Sequence, residues 1–154
     1  MSEKKLKIDK IGKGTVIDHI HAGYALTILS LTCLDESNDL MTIGVNVNSK
    51  KLIKNDIIKI ENLFLNKIQM QQISILSPNA TISLIKNYDV MEKKQVRMPK
   101  VIKRLILCTN KTCISNSEKE PIDSEFLVLE EKPLKIQCIY CDRIYKLDEI
   151  VFQS

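Results

Sequence analysis

Four of the five cysteines in this 154-residue chain fall in its last third, as two short knuckles, Cys108-Thr-Asn-Lys-Thr-Cys113 and Cys138-Ile-Tyr-Cys141. The knuckles enclose four and two residues and stand 24 residues apart. In a reducing compartment such pairs read as a metal site before a disulfide or a redox dithiol. The start, Met1 to Lys7, is charged and lacks an apolar run, so no secretory leader is expected and a cytoplasmic setting is. Zinc takes four thiolates tetrahedrally at about 2.3 Å, and a structural site of that kind leaves no position open for substrate. The quartet therefore predicts one structural zinc that organises a small domain. Cys33, in Leu31-Thr-Cys-Leu34, has no partner in sequence and reads as a small core residue.

Charge argues about partners. The net +4 resides before Pro99, with 14 Lys+Arg against 10 Asp+Glu, while residues 99–154 carry nine of each. A zinc ribbon gripping a phosphate backbone needs a basic face, because counterion release supplies most of that affinity. With only 5% aromatics to stack bases, the balance favours protein contact over nucleic acid. A nucleic-acid-binding ribbon and a purely structural assembly subunit stand as the alternatives. No 18-residue apolar stretch is present, so no transmembrane helix is expected.

Hydrophobic period predicts β-α-β-β-α-β over residues 1–98. Strands are expected at Thr15–Ile20, Met41–Val47, Ile57–Leu65 and Ala80–Val90, and a further one is possible at Leu6–Ile8. Helices are expected at Tyr24–Leu31, with Ala25, Leu26, Leu29 and Cys33 on one face, and at Lys67–Ile75, ended by Pro78. That order is the signature of a ferredoxin-like α+β sandwich, an antiparallel sheet covered on one face by two helices. The charged stretch from Glu92 to Lys100 reads as a linker, giving domains 1–98 and 99–154. The second reads as a small all-β zinc ribbon whose thin apolar core depends on metal.

No catalytic constellation is apparent: there is no Gly-rich phosphate loop, no HExxH and no defensible triad. Strand alternation would put His19 and His21 on one side and Asp18 on the other. A His-x-His pair without a third ligand makes a poor metal site. Asp18 beside an imidazole could instead hydrogen-bond a base and ribose. Lys5, Lys59 and Lys93 read singly as surface lysines, and would form a triphosphate pocket were they to converge.

Several blocks in order carry a resemblance: Gly14-Thr-Val-Ile-Asp-His-Ile20, Met41-Thr-Ile-Gly-Val45, Ile58-Lys-Ile-Glu-Asn-Leu-Phe-Leu65, Asn87-Tyr-Asp-Val90, Asn110 to Ser115, and the four cysteines. Over essentially its full length the chain resembles the regulatory chains of aspartate carbamoyltransferase. The resemblance implies a subunit with no reaction of its own. Its amino-terminal domain would bind CTP and ATP, with UTP assisting in some members. Its zinc domain would dock on the catalytic chain, and dimers of regulatory chains would bridge catalytic trimers. It places the nucleotide pocket on Lys5, Ile8, Asp9, Ile11, Asp18, His19, Lys59, Ser83, Ile85, Tyr88, Val90 and Lys93, zinc on Cys108, Cys113, Cys138 and Cys141, and partner contacts on Asn110, Asp142 and Arg143. Asp9, Ser83 and Met91 depart from the family's Glu, Asn and Val, and Thr112 and Asp142 from its Asn and Glu.

Overall fold

A computed structural model describes residues 10–48 and 53–153. Lys5, Ile8 and Asp9, and the strand expected at Leu6–Ile8, lie outside them.

The amino-terminal half runs β1 (Lys13–His21), α1 (Ala25–Leu31), β2 (Met41–Asn48), β3 (Lys54–Glu61), α2 (Lys67–Leu76), β4 (Thr81–Lys86) and β5 (Asp89–Gln95). The antiparallel sheet has the order β2-β3-β1-β4-β5. One face is β-branched and apolar: Ile17, Ile20, Ile58, Ile60 and Ile82 pack with Ala25, Ile28 and Leu29 of α1 and with Ile73 and Leu76 of α2. This is the expected α+β sandwich, with one strand more than the sequence suggested.

Asn87 and Tyr88 both have positive φ, 51° and 64°. Two consecutive left-handed residues between paired Lys86 and Asp89 form a tight primed hairpin turn. The single strand expected over Ala80–Val90 is therefore cut in two. The segment from Glu92, expected to begin the linker, instead runs on through Gln95 as an exposed edge strand.

The helical face of α1 is Ala25, Ile28 and Leu29, at i, i+3 and i+4, while Leu26 is 65% exposed. Cys33 caps a short 3-10 turn at φ 60° and is exposed, so it is not core. The helix ends at Leu31 with Thr32 as its cap, so the apolar stripe does not reach Cys33. A capping box starts α2: Asn66 Oδ1 accepts the Gln69 N–H at 2.8 Å and Gln69 Oε1 accepts the Asn66 N–H at 3.0 Å. Gly14 is obligatory, since at φ +141° a Cβ would lie 2.0 Å from the Ile60 carbonyl oxygen.

The buried carboxylate of Asp56 ties three segments together. It accepts the N–H groups of Gly23 at 2.8 Å and Ala25 at 3.0 Å, and that of Asn46 at 2.9 Å, where the β2–β3 register shifts. Ile43 and Val45 are exposed on this edge strand, Ile43 although it pairs with the buried Ile58.

The carboxy-terminal part is all-β. Strands β6 (Val101–Lys103), β8 (Glu125–Glu131), β9 (Leu134–Cys138) and β10 (Ile144–Lys146) form a sheet of order β10-β9-β8-β6. A ribbon pairs β7 (Ile106–Leu107) with β11 (Val151–Phe152). Its core gathers Ile102, Ile106, Phe126, Ile136 and Tyr145 around three of the cysteines, and Ile75 of α2 belongs to it. Leu147 and Phe152 pack against both cores.

Replacing Asp56 by Ala leaves three backbone donors without their acceptor, that of Ala25 buried and those of Gly23 and Asn46 part-buried. We expect a loss of about 3 kcal/mol or more in urea unfolding, with Asp56→Asn milder because one acceptor oxygen remains.

Candidate metal centre and sheet face

The four cysteine sulfurs come from the β7 end, the loop after it, the β9 end and the following knuckle. All lie within 4.8 Å of one another. Cys108 to Cys141 and Cys113 to Cys138 are each 3.7 Å apart. A tetrahedron of sulfurs at zinc's bond length has an edge of about 3.8 Å, so the donor set fits one zinc with all four positions filled by protein.

The sequence signalled the sulfurs but not the groups that hold them. The Tyr145 hydroxyl is 3.2 Å from Cys108 Sγ and accepts the Thr109 N–H at 3.1 Å. That leaves its proton to donate to the thiolate. The Ser115 hydroxyl is 3.1 Å from Cys113 Sγ. Asn116 Nδ2 donates to the carbonyls of Cys108 and Asn110 at 2.6 and 2.8 Å, clamping the first knuckle shut. Asn110 Oδ1 accepts from the Thr112 N–H and hydroxyl at 3.2 and 2.9 Å, leaving its amide NH2 for Cys141. Asp142 closes the second knuckle at φ 61°, its N–H donating to the Cys138 carbonyl at 2.9 Å. Arg143 stacks its guanidinium 5.7 Å from the Tyr145 ring centroid. Tyr145 enters only through the β9–β10 register, which sets it opposite Ile136; no local spacing announces it.

Burial pushes the Cys138 thiol up to about 12 and raises that of Cys108. At Cys141 burial acts the same way but is outweighed by the Arg143 N–H, the Asn110 side chain and the neighbouring thiols, which bring it down to about 7. Three of the four cysteines are buried. A divalent cation is what makes several desolvated thiolates tolerable together.

The second candidate lies on the sheet face away from the helices. Residues directly paired across strands share a face. Pairings Lys59↔Val16, Val16↔Ser83 and Ser83↔Lys93 draw one row across four strands, offset by one residue from the buried row Ile58, Ile17, Ile82. Two residues along, Gly14↔Ile85 and Ile85↔Val90 make a second row, with Met91 taking up the bulge. Two residues the other way Asp18 pairs Thr81. Tyr88 donates its N–H to the Gly12 carbonyl at 3.0 Å and its ring covers Gly12, where a Cβ would meet it at 3.2 Å. Ile11 is 5% exposed, outside both cores.

His19 corrects the alternation argument. Between Ile17 and Ile20, both fully buried, β1 carries an extra residue against β3, and His19 takes φ 57°. Its N–H donates to Asp18 Oδ1 at 2.7 Å and its Nδ1 lies 3.2 Å from Thr81 Oγ1. The bulge thus sets Asp18 and His19 on the same face, where unbroken alternation would have pointed His19 at the core. His21 meets different partners, packing edge to face on Tyr24, so the two imidazoles do not form a joint site.

An α+β sheet domain followed by a four-cysteine metal module defines a two-domain chain in which one part is organised around a metal site and the other carries a second sheet face away from its helices. Comparison with known proteins gives the same division: residues 6–97 match the allosteric domain of the aspartate carbamoyltransferase regulatory chain and residues 100–151 match its metal binding domain. Aspartate carbamoyltransferase regulatory chains from Ignicoccus hospitalis and Thermoplasma volcanium are each 45% identical, over 96% and 93% of this chain and 95% and 94% of theirs. One from Thermococcus sibiricus is 40% identical over 96% of this chain and 97% of its own. The chain belongs to the family of aspartate carbamoyltransferase regulatory chains.

Zinc binding displaces thiol protons, so affinity falls as pH falls. The fall steepens below about pH 7, where Cys141 also holds a proton in the metal-free site. Competition with a chromogenic chelator from pH 8.5 to 6 will show this curvature. Tyr145→Phe should weaken zinc about 10-fold to 100-fold in the same assay.

Proposed function

We propose that this chain is a non-catalytic regulatory subunit of aspartate carbamoyltransferase that binds CTP and ATP, with UTP in an assisting role, on the outer sheet face of residues 1–98. The zinc domain, residues 99–154, docks on the catalytic chain. The observation that carries the reading is the row Lys59, Val16, Ser83, Lys93, flanked by Asp18 and His19 at one end and by Ile85, Val90 and Tyr88 at the other. Two lysines on one row suit a polyphosphate, since lysine meets phosphate as a compact point charge. The bulged Asp18-His19 pair suits ribose hydroxyls and a base edge, and Ile11, Ile85, Tyr88 and Val90 supply apolar contact. Lys5, Ile8 and Asp9 would complete the pocket from the amino-terminal side.

The docking reading is supported by apolar side chains beside the knuckles. Ile114 follows Cys113, and Ile139 and Tyr140 sit between Cys138 and Cys141, all exposed. Apolar surface around a rigid metal knuckle suits a protein partner. Asn110, Asp142 and Arg143 supply polar contacts at its edge. The other end of the molecule favours a regulatory-chain homodimer, because β2 is an edge strand with Ile43 and Val45 exposed. Dimers bridging catalytic trimers in the cytoplasm complete the assembly.

Control follows from linkage. A nucleotide shifts a quaternary equilibrium only by its differential affinity for the two states. Typical couplings of about 1–3 kcal/mol must act reciprocally on the binding of the catalytic substrates. Carbamoylation of aspartate by the reconstituted enzyme, with and without CTP and ATP, tests the reading; activity indifferent to both would overturn it.

The two sites should separate by mutation. Lys59→Ala and Lys93→Ala should each weaken nucleotide binding about 10-fold in calorimetry, as expected for a lost charge-assisted contact, and leave assembly intact. Cys141→Ala should release zinc and abolish association with the catalytic chain while nucleotide binding by the free chain persists.

A further inference from the structure

His21 sits where the two domains meet. A cavity of about 370 Å³ is walled on one side by His21, Tyr24, Leu76 and Pro78, and on the other by Lys132, Pro133, Leu134 and Leu147. The His21 backbone N–H donates to Ser77 Oγ at 3.2 Å, and its ring meets Tyr24 edge to face with centroids 6.0 Å apart. The Pro78 carbonyl faces the imidazole as acceptor, while Nε2 is buried and has no hydrogen-bond partner among the described residues. Nε2 is thus enclosed by packing, without donor or acceptor, beside the place where the two domains meet. A buried polar atom left unsatisfied in a native fold calls for a reason.

Among the described residues, the charged groups around that gap are few. The β8–β9 turn brings Lys132 and Glu131, whereas α2 contributes only Ile75 and Leu76. Beyond a shared wall of Tyr24, Pro133, Leu134 and Leu147, a larger cavity of about 970 Å³ carries Lys135, Lys146 and Asp148 at its edge. A proton on Nε2 finds no acceptor in the present packing and would place a cation near Lys132, with Glu131 the carboxylate on the same wall.

We propose that His21 is a proton-operated latch between the allosteric and zinc domains: neutral, it lets the cleft close over an apolar wall, and protonated at an enclosed nitrogen that has no acceptor, with Lys132 nearby, it opens the cleft. The inference needs the two-domain structure and not the identity of any effector. Burial first, and Lys132 second, lower the His21 pKa from 6.5. The sign follows. A histidine whose pKa is depressed in the closed form stabilises closure fully above the open-form pKa. Below about 6.5 each pH unit favours opening by up to tenfold, until the closed form itself takes the proton.

The chain has two histidines, so both imidazoles can be followed by NMR in the zinc-loaded full-length protein. The readouts are the His21 titration and nuclear Overhauser effects from the Tyr24 ring to the Leu134 and Leu147 methyls, with zinc content measured at each pH to separate opening from metal loss. We expect a His21 midpoint below 6.5 and disappearance of the cross-cleft Overhauser effects in step with it. His21→Gln should keep those effects at acid pH, and Lys132→Met should raise the midpoint and flatten the pH dependence. A His21 midpoint at or above 6.5, or Overhauser effects that vanish with the same pH profile in His21→Gln, would overturn the latch. Should His21→Gln fail to fold, an unaltered midpoint in Lys132→Met would overturn it alone.

Discussion

The carboxy-terminal domain depends on four sulfurs brought to one point. Cys108, Cys113 and Cys138 are not appendages to its hydrophobic cluster but members of it, packed with Phe126, Ile136 and Tyr145. A unit of that size has little apolar surface to bury, so the free energy of metal binding is much of its free energy of folding. The knuckle hydrogen bonds gain from this. Asn116, Ser115 and Tyr145 orient backbone and thiolates around the site, and a metal held by the four sulfurs would fix the loops that carry Ile114, Ile139 and Tyr140 to the surface. Metal chemistry is thereby turned into the shape of an exposed protein face.

The amino-terminal domain solves a different problem, which is to present polar chemistry on one side of a sheet whose other side is packed. Strand alternation supplies most of the answer, sending Val16, Lys59, Ser83 and Lys93 one way and Ile17, Ile58 and Ile82 the other. The extra residue in β1 supplies the rest. It keeps both Ile17 and Ile20 in the core while setting Asp18 and His19 together on the outer face. A regular strand would have had to bury an imidazole in apolar packing, at the desolvation cost of an unpaired polar group.

Between the two lies a shared joint. Ile75 leaves α2 for the second core, and Leu147 and Phe152 touch both cores. The packed contact is interrupted by cavities around Tyr24 and His21.

The sequence alone determined the elements whose signal is local. Cysteine spacing announced the metal site, because a tetrahedral thiolate centre tolerates only a few loop lengths. The β-α-β-β-α-β order followed from hydrophobic period, and the family from blocks such as Gly14–Ile20. Its failures share a physical cause. At the turn Asn87-Tyr88 only Asn87 favours a left-handed backbone and no glycine follows it, so the signal is half of the usual pair, and the edge strand β5 was read as linker because edge strands carry charge. Cys33 was assigned to the core on residue type, but α1 ends at Leu31, two residues before it. The bulge at Asp18-His19, the carboxylate of Asp56 under three backbone N–H groups, and the Tyr145 hydroxyl beside Cys108 were decided by tertiary structure. Each depends on which strand lies opposite and in what register, and register is fixed by packing of the whole sheet.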